Sequence, residues 1–189
     1  MKKALGLAAA MLFVASAAMA QVSTTAHNMD TWLTAEGSAT HSDEVCAYCH
    51  VPHNPTVDVP LWSRTNPDGS AFTTYTSASI DNTTGDPGNE SLMCLSCHDG
   101  ATPVDGAYVV TGDPALGTDL TDDHPVGIEM DNTVDTDLND PAGLTYAKVF
   151  GANDLVECAS CHNPHDNDLG NFLIASNAAS ALCVDCHNK

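Results

Sequence analysis

Two stretches of the sequence decide its fold: CAYCHVPHN at residues 46–54 and CASCHNPHD at residues 158–166. In each stretch two residues separate a pair of cysteines, a histidine follows at once, and a second histidine comes three positions later. A plain C-x-x-C-H occurs twice more, at residues 94–98 and 183–187. All eight cysteines of the 189-residue chain therefore belong to four copies of one pattern.

This pattern is the attachment motif of haem c, in which two thiols bond the porphyrin and the adjacent imidazole binds the iron. On a helical turn, positions i, i+3 and i+4 share one face, so both sulfurs and the ring can meet the same porphyrin. We expect four haem c groups, with a helical turn at each motif that starts near Ser42-Asp43, Asn89-Glu90, Asn153-Asp154 or Ser176-Asn177. The predicted thioether residues are Cys46, Cys49, Cys94, Cys97, Cys158, Cys161, Cys183 and Cys186, and the predicted proximal iron ligands are His50, His98, His162 and His187.

Two other uses of paired cysteines are open to an exported chain. C-x-x-C pairs ligate structural zinc, and they also oxidise to disulfides outside the cytosol. Neither use requires a histidine directly after every pair, which is what all four copies have. The sequence therefore favours haem attachment over both alternatives.

Composition indicates that the chain lacks an ordinary apolar core. Aromatic residues make up 5% of the sequence, and residues 81–90 and 111–125 are rich in Gly, Pro, Asp and Thr. Such stretches are typical of loops and bury little apolar surface. We therefore predict the fold class of a multihaem cytochrome c, with loops and short helices wrapped around a haem core and little or no sheet. Trp32 and Trp62 are expected to pack on haem faces.

The first 20 residues read as a secretory signal peptide. Lys2 and Lys3 precede an apolar run that is too short for a membrane span, and Ala18-Met19-Ala20 is a cleavage site of the A-x-A type. We expect residues 21–189 to form a single tetrahaem domain. Because the sequence before Cys94 is echoed before Cys183, that domain is a doubled unit with halves of about 21–110 and 111–189.

The charge of the exported chain excludes one class of partner. Three cations (Arg64, Lys148 and Lys189) face 25 acidic residues once the leader is removed. Nucleic-acid binding needs clustered basic residues, so a nucleic-acid partner is excluded. Alternating acids at 131–140 raise the alternative of a calcium site, but the glycine and final glutamate of an EF-hand loop are missing, which favours a solvated acidic loop.

Five histidines remain as candidates for the distal ligands of four irons. His53 and His165 lie too close to their own motifs to reach back over the same face, so they are expected to serve neighbouring haems. His27 is favoured over His41 for the last place, and Met29 and Met130 stay open as alternatives. The complete candidate set is His27, His41, His53, His124 and His165.

Bis-histidine ligation throughout leaves no open iron, so we expect an electron-transfer protein and no enzyme. The alternative is a multihaem reductase with one open haem.

The chain resembles multihaem cytochromes with doubled C-x-x-C-H motifs, most closely the filament-forming outer-surface tetrahaem cytochromes, of the cytochrome E type, of metal-reducing bacteria. The resemblance implies four bis-histidine haems c in a continuous stack. It also implies head-to-tail polymerisation into extracellular conductive filaments, with redox proteins or extracellular acceptors as further partners and one distal histidine donated between subunits. His27 is the candidate donor, and a soluble periplasmic carrier is the alternative. The matching stretches are AHNMD (26–30), VCAYCHVPHNP (45–55), PLWSR (60–64), LMCLSCHDG (92–100), LGTDLTDDHPVGI (116–128), VECASCHNPHD (156–166) and FLIASNAASALCVDCHNK (172–189).

Overall fold

The structure, a computed structural model, describes residues 21–57 and 60–188. The predicted signal peptide at residues 1–20 lies outside the described residues. Short helices are spread along the rest of the chain, and each predicted motif falls on one of them or on a single 3₁₀ turn. The α-helices are α1 (Met29–Ala35), α2 (Asn89–His98), α3 (Cys158–Cys161) and α4 (Cys183–Cys186). The 3₁₀ turns are Val22–Thr24, Val45–Tyr48, Gly69–Ala71, Pro141–Gly143 and Ala178–Ser180.

Strands in the described residues are two or three residues long and pair into three small ladders. One ladder is parallel and joins distant parts of the chain, and the other two are antiparallel. The pairs are β1 (Thr73–Thr74) with β4 (Asp119–Leu120), β2 (Pro103–Asp105) with β3 (Tyr108–Val109), and β5 (Ile128–Glu129) with β6 (Leu155–Val156). The chain is thus mostly loop with few short helices and little sheet, as the sequence predicts. No helix within the described ranges has the length and apolar character needed to cross a bilayer.

The apolar core is small and lies at one motif. Phe72, Leu95 and Leu120 are buried together, and Leu92 and Val126 pack against them. Leu92 and Leu95 come from α2, while Leu120 belongs to β4, so this cluster anchors the longest of the motif helices. α3 and α4 are single turns, and helices this short are not stable by themselves. They therefore need contacts other than this small cluster to hold them in place.

A buried carboxylate links the second and third motifs. Glu157 is 2% exposed, its Oε1 accepts the backbone N–H of Gly88 at 3.0 Å, and its Oε2 accepts the hydroxyl of Ser91. Ser91 Oγ in turn accepts the N–H of Cys158 at 2.9 Å. Glu157 therefore caps α2 from the far half of the chain, and with Ser160 it forms the capping box of α3. Burial raises the pKa of Glu157, and the bonds from Ser91 and Gly88 oppose that rise.

The predicted start of one of these two helices was wrong. α2 begins at Asn89, as the sequence predicts, whereas α3 begins after Glu157 instead of near Asn153-Asp154. Leu155 and Val156 pair with β5 as strand β6, so the chain is still extended there and turns only at Cys158. At the fourth motif the prediction is closer, since Asn177 Oδ1 accepts the N–H of Leu182, directly before α4.

Replacing Glu157 with glutamine tests this link. The amide keeps one acceptor but turns an NH₂ group toward a donor, so we expect Glu157→Gln to lower the free energy of unfolding by roughly 1–3 kcal/mol. Guanidinium titration of the haem-loaded protein measures the change. Glu90→Gln is the matched control, because it removes the same charge from a partly exposed position in the first turn of α2. Equal losses in both variants would contradict the proposed link.

Candidate haem sites

In each of the four motifs the backbone forms a helical turn from the first cysteine to the histidine. The backbone N–H of His50 donates to Cys46 O at 2.9 Å, and the same i to i−4 bond joins His162 to Cys158 and His187 to Cys183. In the second motif, residues 94–98 lie within α2. On such a turn positions i, i+3 and i+4 share one face, so the two sulfurs and the ring of each motif can meet one porphyrin.

The thiols form no disulfide bonds, and several of them are buried. All eight cysteines are free, which gives no support to the disulfide alternative. Burial raises the pKa of the Cys49 and Cys186 thiols to about 11 and also raises that of Cys97 and Cys161. No cluster of three or more His, Cys, Asp or Glu side chains among the described residues could hold a metal ion. The structure therefore offers no preformed zinc site.

The second and third motifs meet at their first cysteines. A hydrogen bond between the two thiols raises the pKa of Cys94 and lowers that of Cys158. Cys49 and Cys97 also lie close enough to interact, as do Cys161 and Cys183. Successive motifs along the chain are thus neighbours in space.

Backbone carbonyls fix the orientation of three proximal rings. In each, Nδ1–H donates to a carbonyl oxygen of a following loop, which defines the tautomer and leaves Nε2 as the nitrogen with a free lone pair. This second bond is typical of histidines that bind metals. The pairs are His50 with Pro60 O at 2.7 Å, His98 with Pro114 O at 2.6 Å, and His162 with Asn171 O at 2.8 Å. The three acceptor residues, Pro60, Pro114 and Asn171, were not predicted from the sequence, because any residue type can supply a backbone carbonyl.

Three proximal histidines face a second histidine at a spacing that fits one iron between them. Two imidazoles that share a metal through bonds of about 2 Å have ring centres about 6 Å apart. The angle between the ring planes is 12° in the first of the pairs below, 76° in the second and 64° in the third, and rotation about a shared metal–nitrogen axis accommodates each. The pairs are His50–His165 at 5.9 Å, His98–His27 at 6.0 Å and His187–His124 at 6.3 Å.

The surroundings of two predicted distal histidines keep them neutral. Burial lowers the pKa of His27, and nearby His98 and His165 lower it further, against the effect of its 3.2 Å bond to Pro164 O. Burial also lowers the pKa of His165, with a smaller contribution from His50. A neutral imidazole has the lone pair that iron needs. His27 also stacks on Phe172, with ring centres 4.2 Å apart.

His41 has a different environment from the other candidates. Its Nδ1 bonds Ser38 O at 3.1 Å, and its Nε2 bonds Asp30 Oδ1 at 3.0 Å and Thr34 Oγ1 at 3.1 Å. Both ring nitrogens are thus engaged at the end of α1. An iron could bind His41 only after these bonds broke.

Among the described residues, two histidines of the C-x-x-C-H-x-P-H motifs have no second histidine opposite them at a spacing of about 6 Å. His162 has no histidine opposite it at a comparable spacing among the described residues. His53 is exposed, and within residues 21–57 and 60–188 it makes no hydrogen bond or ring contact. Within the part of the chain that the structure describes, His162 is thus the proximal histidine without a histidine opposite it, and His53 is a distal candidate whose ring is exposed and makes no such bonds as those of His41.

Alanine variants of His27 and His41 should behave differently. We expect His27→Ala to leave the iron on His98 without its sixth ligand and to convert one haem from low-spin to high-spin. His41→Ala should leave the low-spin spectrum unchanged, because neither of its ring nitrogens is free. Visible absorption and electron paramagnetic resonance of the oxidised protein measure the change. A high-spin signal in His41→Ala alone would reverse the assignment.

In the acidic loop at 131–140, as in the rest of the described residues, no three carboxylates come together in a way that could hold a metal ion. Asp131 Oδ1 accepts the backbone N–H and hydroxyl of Thr133, at 2.8 and 2.6 Å. Asp135 and Asp140 likewise accept backbone N–H groups two residues on, from Asp137 and Ala142. The structure thus gives the calcium alternative no support.

Comparison with known families agrees with the motif reading. Residues 151–189 match a family model described as the doubled CXXCH motif. The matched segment contains the third and fourth motifs, including Cys158, Cys161, Cys183 and Cys186. No curated protein matches the chain. The family match supports a multihaem c-type cytochrome that binds haem c and transfers electrons.

Proposed function

We propose that this protein carries four bis-histidine haems c and relays electrons as the subunit of an extracellular cytochrome filament. The cysteines of the four motifs attach the porphyrins, and the histidine after each pair is the proximal ligand. Bound haem stores and passes one electron as its iron cycles between the ferric and ferrous states. Histidine on both sides of the iron, without the methionine that raises the potential, is expected to keep the potentials low.

The histidine pairs are the observation that carries this proposal. His165, His27 and His124 are the distal ligands for the irons on His50, His98 and His187, respectively. Each distal residue comes from a segment remote from the motif it serves. A haem at each pair therefore ties distant parts of the chain together, and the haems act as the apolar core that the sequence lacks.

Contacts across the midpoint of the sequence support one domain over residues 21–189. β1 pairs with β4, Glu157 caps α2, and the side-chain amide of Gln21 donates to Asp166 Oδ1 at 3.1 Å. The two halves of the doubled unit are interlocked through these contacts. The proximity of thiols in successive motifs also supports a continuous relay in chain order.

The mismatch between His162 and His53 supports assembly. A donor on one surface and an acceptor on another make a heterologous interface, which extends into a filament when its rotation does not close. We propose that His53 of one copy is the distal ligand to the iron on His162 of the next. His53 then replaces His27 as the residue donated between subunits, and no open iron remains for enzymatic chemistry.

The same mismatch keeps a second candidate function in view. An isolated chain with no ligand opposite His162 has one open iron, as a multihaem reductase would. The scarcity of cations disfavours this alternative, since Arg64 and Lys148 are the only Lys or Arg in the described residues. The guanidinium of Arg64 already donates to Ser96, Pro103 and Val104. Lys148 is the one other cation of the described residues, and its backbone N–H donates to Ser160 O in the third motif at 3.4 Å. A single lysine without an arginine is a poor site for an oxyanion.

Intact-mass measurement of the secreted protein, combined with its absorption spectrum, tests the proposal. We expect the mass of a chain that begins at Gln21 plus four covalent haems, with low-spin bands only. Fewer haems would contradict the tetrahaem assignment. Carbon monoxide binding to every reduced chain in the assembled protein would show an open iron and favour the reductase.

A further inference from the structure

Buried polar atoms without partners gather in one short segment. Within the described residues, four buried side-chain nitrogen or oxygen atoms lack a hydrogen-bond partner, and three of them belong to Trp62 and Asn66. Trp62 is 8% exposed, so its Nε1–H is shut away from solvent. Buried donors are nearly always paired in folded proteins, and an orphaned donor often marks an absent ligand.

This segment lies against the first motif. Ser63 N–H donates to Cys49 O at 3.0 Å, and Pro60 O accepts Nδ1–H of His50 at 2.7 Å. The indole of Trp62 stands at 85° to the His50 ring, with centres 6.4 Å apart. The orphaned Nε1–H therefore adjoins the place where Cys46, Cys49 and His50 would hold a haem.

The chemistry of haem c leaves one kind of acceptor for these donors. Its four pyrrole nitrogens are bound to iron, and the rest of its rim is hydrocarbon or thioether, so its propionate carboxylates are its only strong acceptors. Resting on the proposed function, we propose that Trp62 Nε1–H and the Asn66 side-chain NH₂ donate to a propionate of the haem on His50. A water that bridges to the same carboxylate supplies a donor for Asn66 Oδ1.

A nearby cation strengthens the site for an anion. The guanidinium of Arg64 bonds neutral groups only, including Ser96 O at 2.8 Å and Pro103 O at 2.7 Å, and it forms no ion pair within the described residues. Its charge acts on the first and second motifs, since it lowers the pKa of the thiols of Cys49 and Cys97 against the dominant effect of burial. A propionate of the haem on the first motif would gain from this charge. Against the effect of burial, the same charge also lowers the pKa of Asp99.

Hydrogen bonds to a propionate change the reduction potential in a defined direction. An ionised propionate stabilises the ferric form, whose iron carries one more positive charge than the ferrous form. Donors to that carboxylate disperse its charge and so favour the ferrous form. Removing a donor should therefore move the potential of this one haem to a more negative value.

The experiment is a spectroelectrochemical titration of haem-loaded Trp62→Phe and Asn66→Ala, with Tyr146→Phe as the control. Tyr146 is an aromatic residue outside the four motifs and is 49% exposed. We expect one of the four midpoint potentials to fall in each of the first two variants and none to change in the control. Unchanged potentials in both variants, with four haems confirmed by mass, would overturn the inference. A missing haem at Cys46 and Cys49 in the wild type would instead contradict the proposed function.

A second measurement on the wild type covers the case in which Trp62→Phe fails to fold. The two indole N–H signals of the reduced, ¹⁵N-labelled protein are resolved and their hydrogen exchange is followed in D₂O. We expect the Trp62 N–H to exchange at least tenfold more slowly than that of Trp32. When ¹³C-labelled haem is supplied, we also expect a coupling across the hydrogen bond between the Trp62 indole ¹⁵N and the carboxylate carbon. Equal exchange rates without coupling would overturn the inference.

Discussion

His53→Ala is expected to abolish end-to-end assembly while all four haems stay attached. In the proposed filament, the His53 imidazole is the sixth ligand of the iron on His162 in the next copy. Alanine removes that bond at every interface, so the variant should remain as single particles with one high-spin iron per chain. Negative-stain micrographs and electron paramagnetic resonance measure the two effects on the same preparation.

His41→Ala is the matched control for the loss of assembly. It removes an imidazole whose two nitrogens are engaged within the chain, so filaments and low-spin irons should persist. Filaments of normal length in His53→Ala would contradict ligation between subunits by this residue. Dispersed monomers provide a second test. If all irons of the wild-type monomer were six-coordinate and His53→Ala made one of them high-spin, His53 would bind an iron of its own chain. The filament proposal would then lose its main support.

His165→Met is expected to raise the potential of one haem by on the order of 0.1 V. Methionine is a weaker donor to ferric iron than imidazole, and axial ligands shift haem potentials over a range of about 0.8 V. His165 lies 5.9 Å from His50 between ring centres, so the affected haem should be the one on Cys46 and Cys49. Redox titration followed in the visible region measures the shift, and the thioether ligand adds a weak absorption near the red edge of the spectrum.

The matched control for this exchange is His41→Met, which should leave all four potentials in place. A positive shift in His165→Met together with four low-spin haems supports the pairing of His165 with His50. Unchanged potentials would mean that His165 binds no iron. Loss of the haem on Cys46 and Cys49 would indicate that His165 is needed for attachment, which also places it at that site.

The motifs were predictable from the sequence because haem attachment is local. Cys158, Cys161 and His162 lie within five residues, and the turn that they need depends on backbone bonds between close neighbours. The loop-rich character followed from composition in the same way. The small ladders, such as β1 with β4, depend on partners about 45 residues apart and left no recognisable pattern.

The pairing of distal with proximal histidines was not predictable from the sequence. Counting gave five candidates for four irons, but His27 and His41 are equivalent by residue type. The structure separates them through their surroundings, since His41 is held by Asp30 and Ser38 and His27 faces His98. Likewise the capping role of Glu157 depends on Gly88 and Ser91 in the other half of the chain.

The environment of the Trp62 side chain was also not predictable from the sequence. Its residue type suggested packing against a haem face, which says nothing of the indole N–H. Only the fold shows that this donor is buried beside His50 without a partner. A sequence does not show whether the polar atom of a buried side chain has a hydrogen-bond partner, and the role proposed for Trp62 depends on that.

A density map of the native, haem-loaded assembly at near-atomic resolution tests the central claim most directly. We expect four haems per chain, with iron between His50 and His165, between His98 and His27, and between His187 and His124. We expect the fourth iron, on His162, to be bound by His53 of the neighbouring copy. An iron bound by His41, or an open iron on His162 within an ordered filament, would contradict this assignment of the ligands.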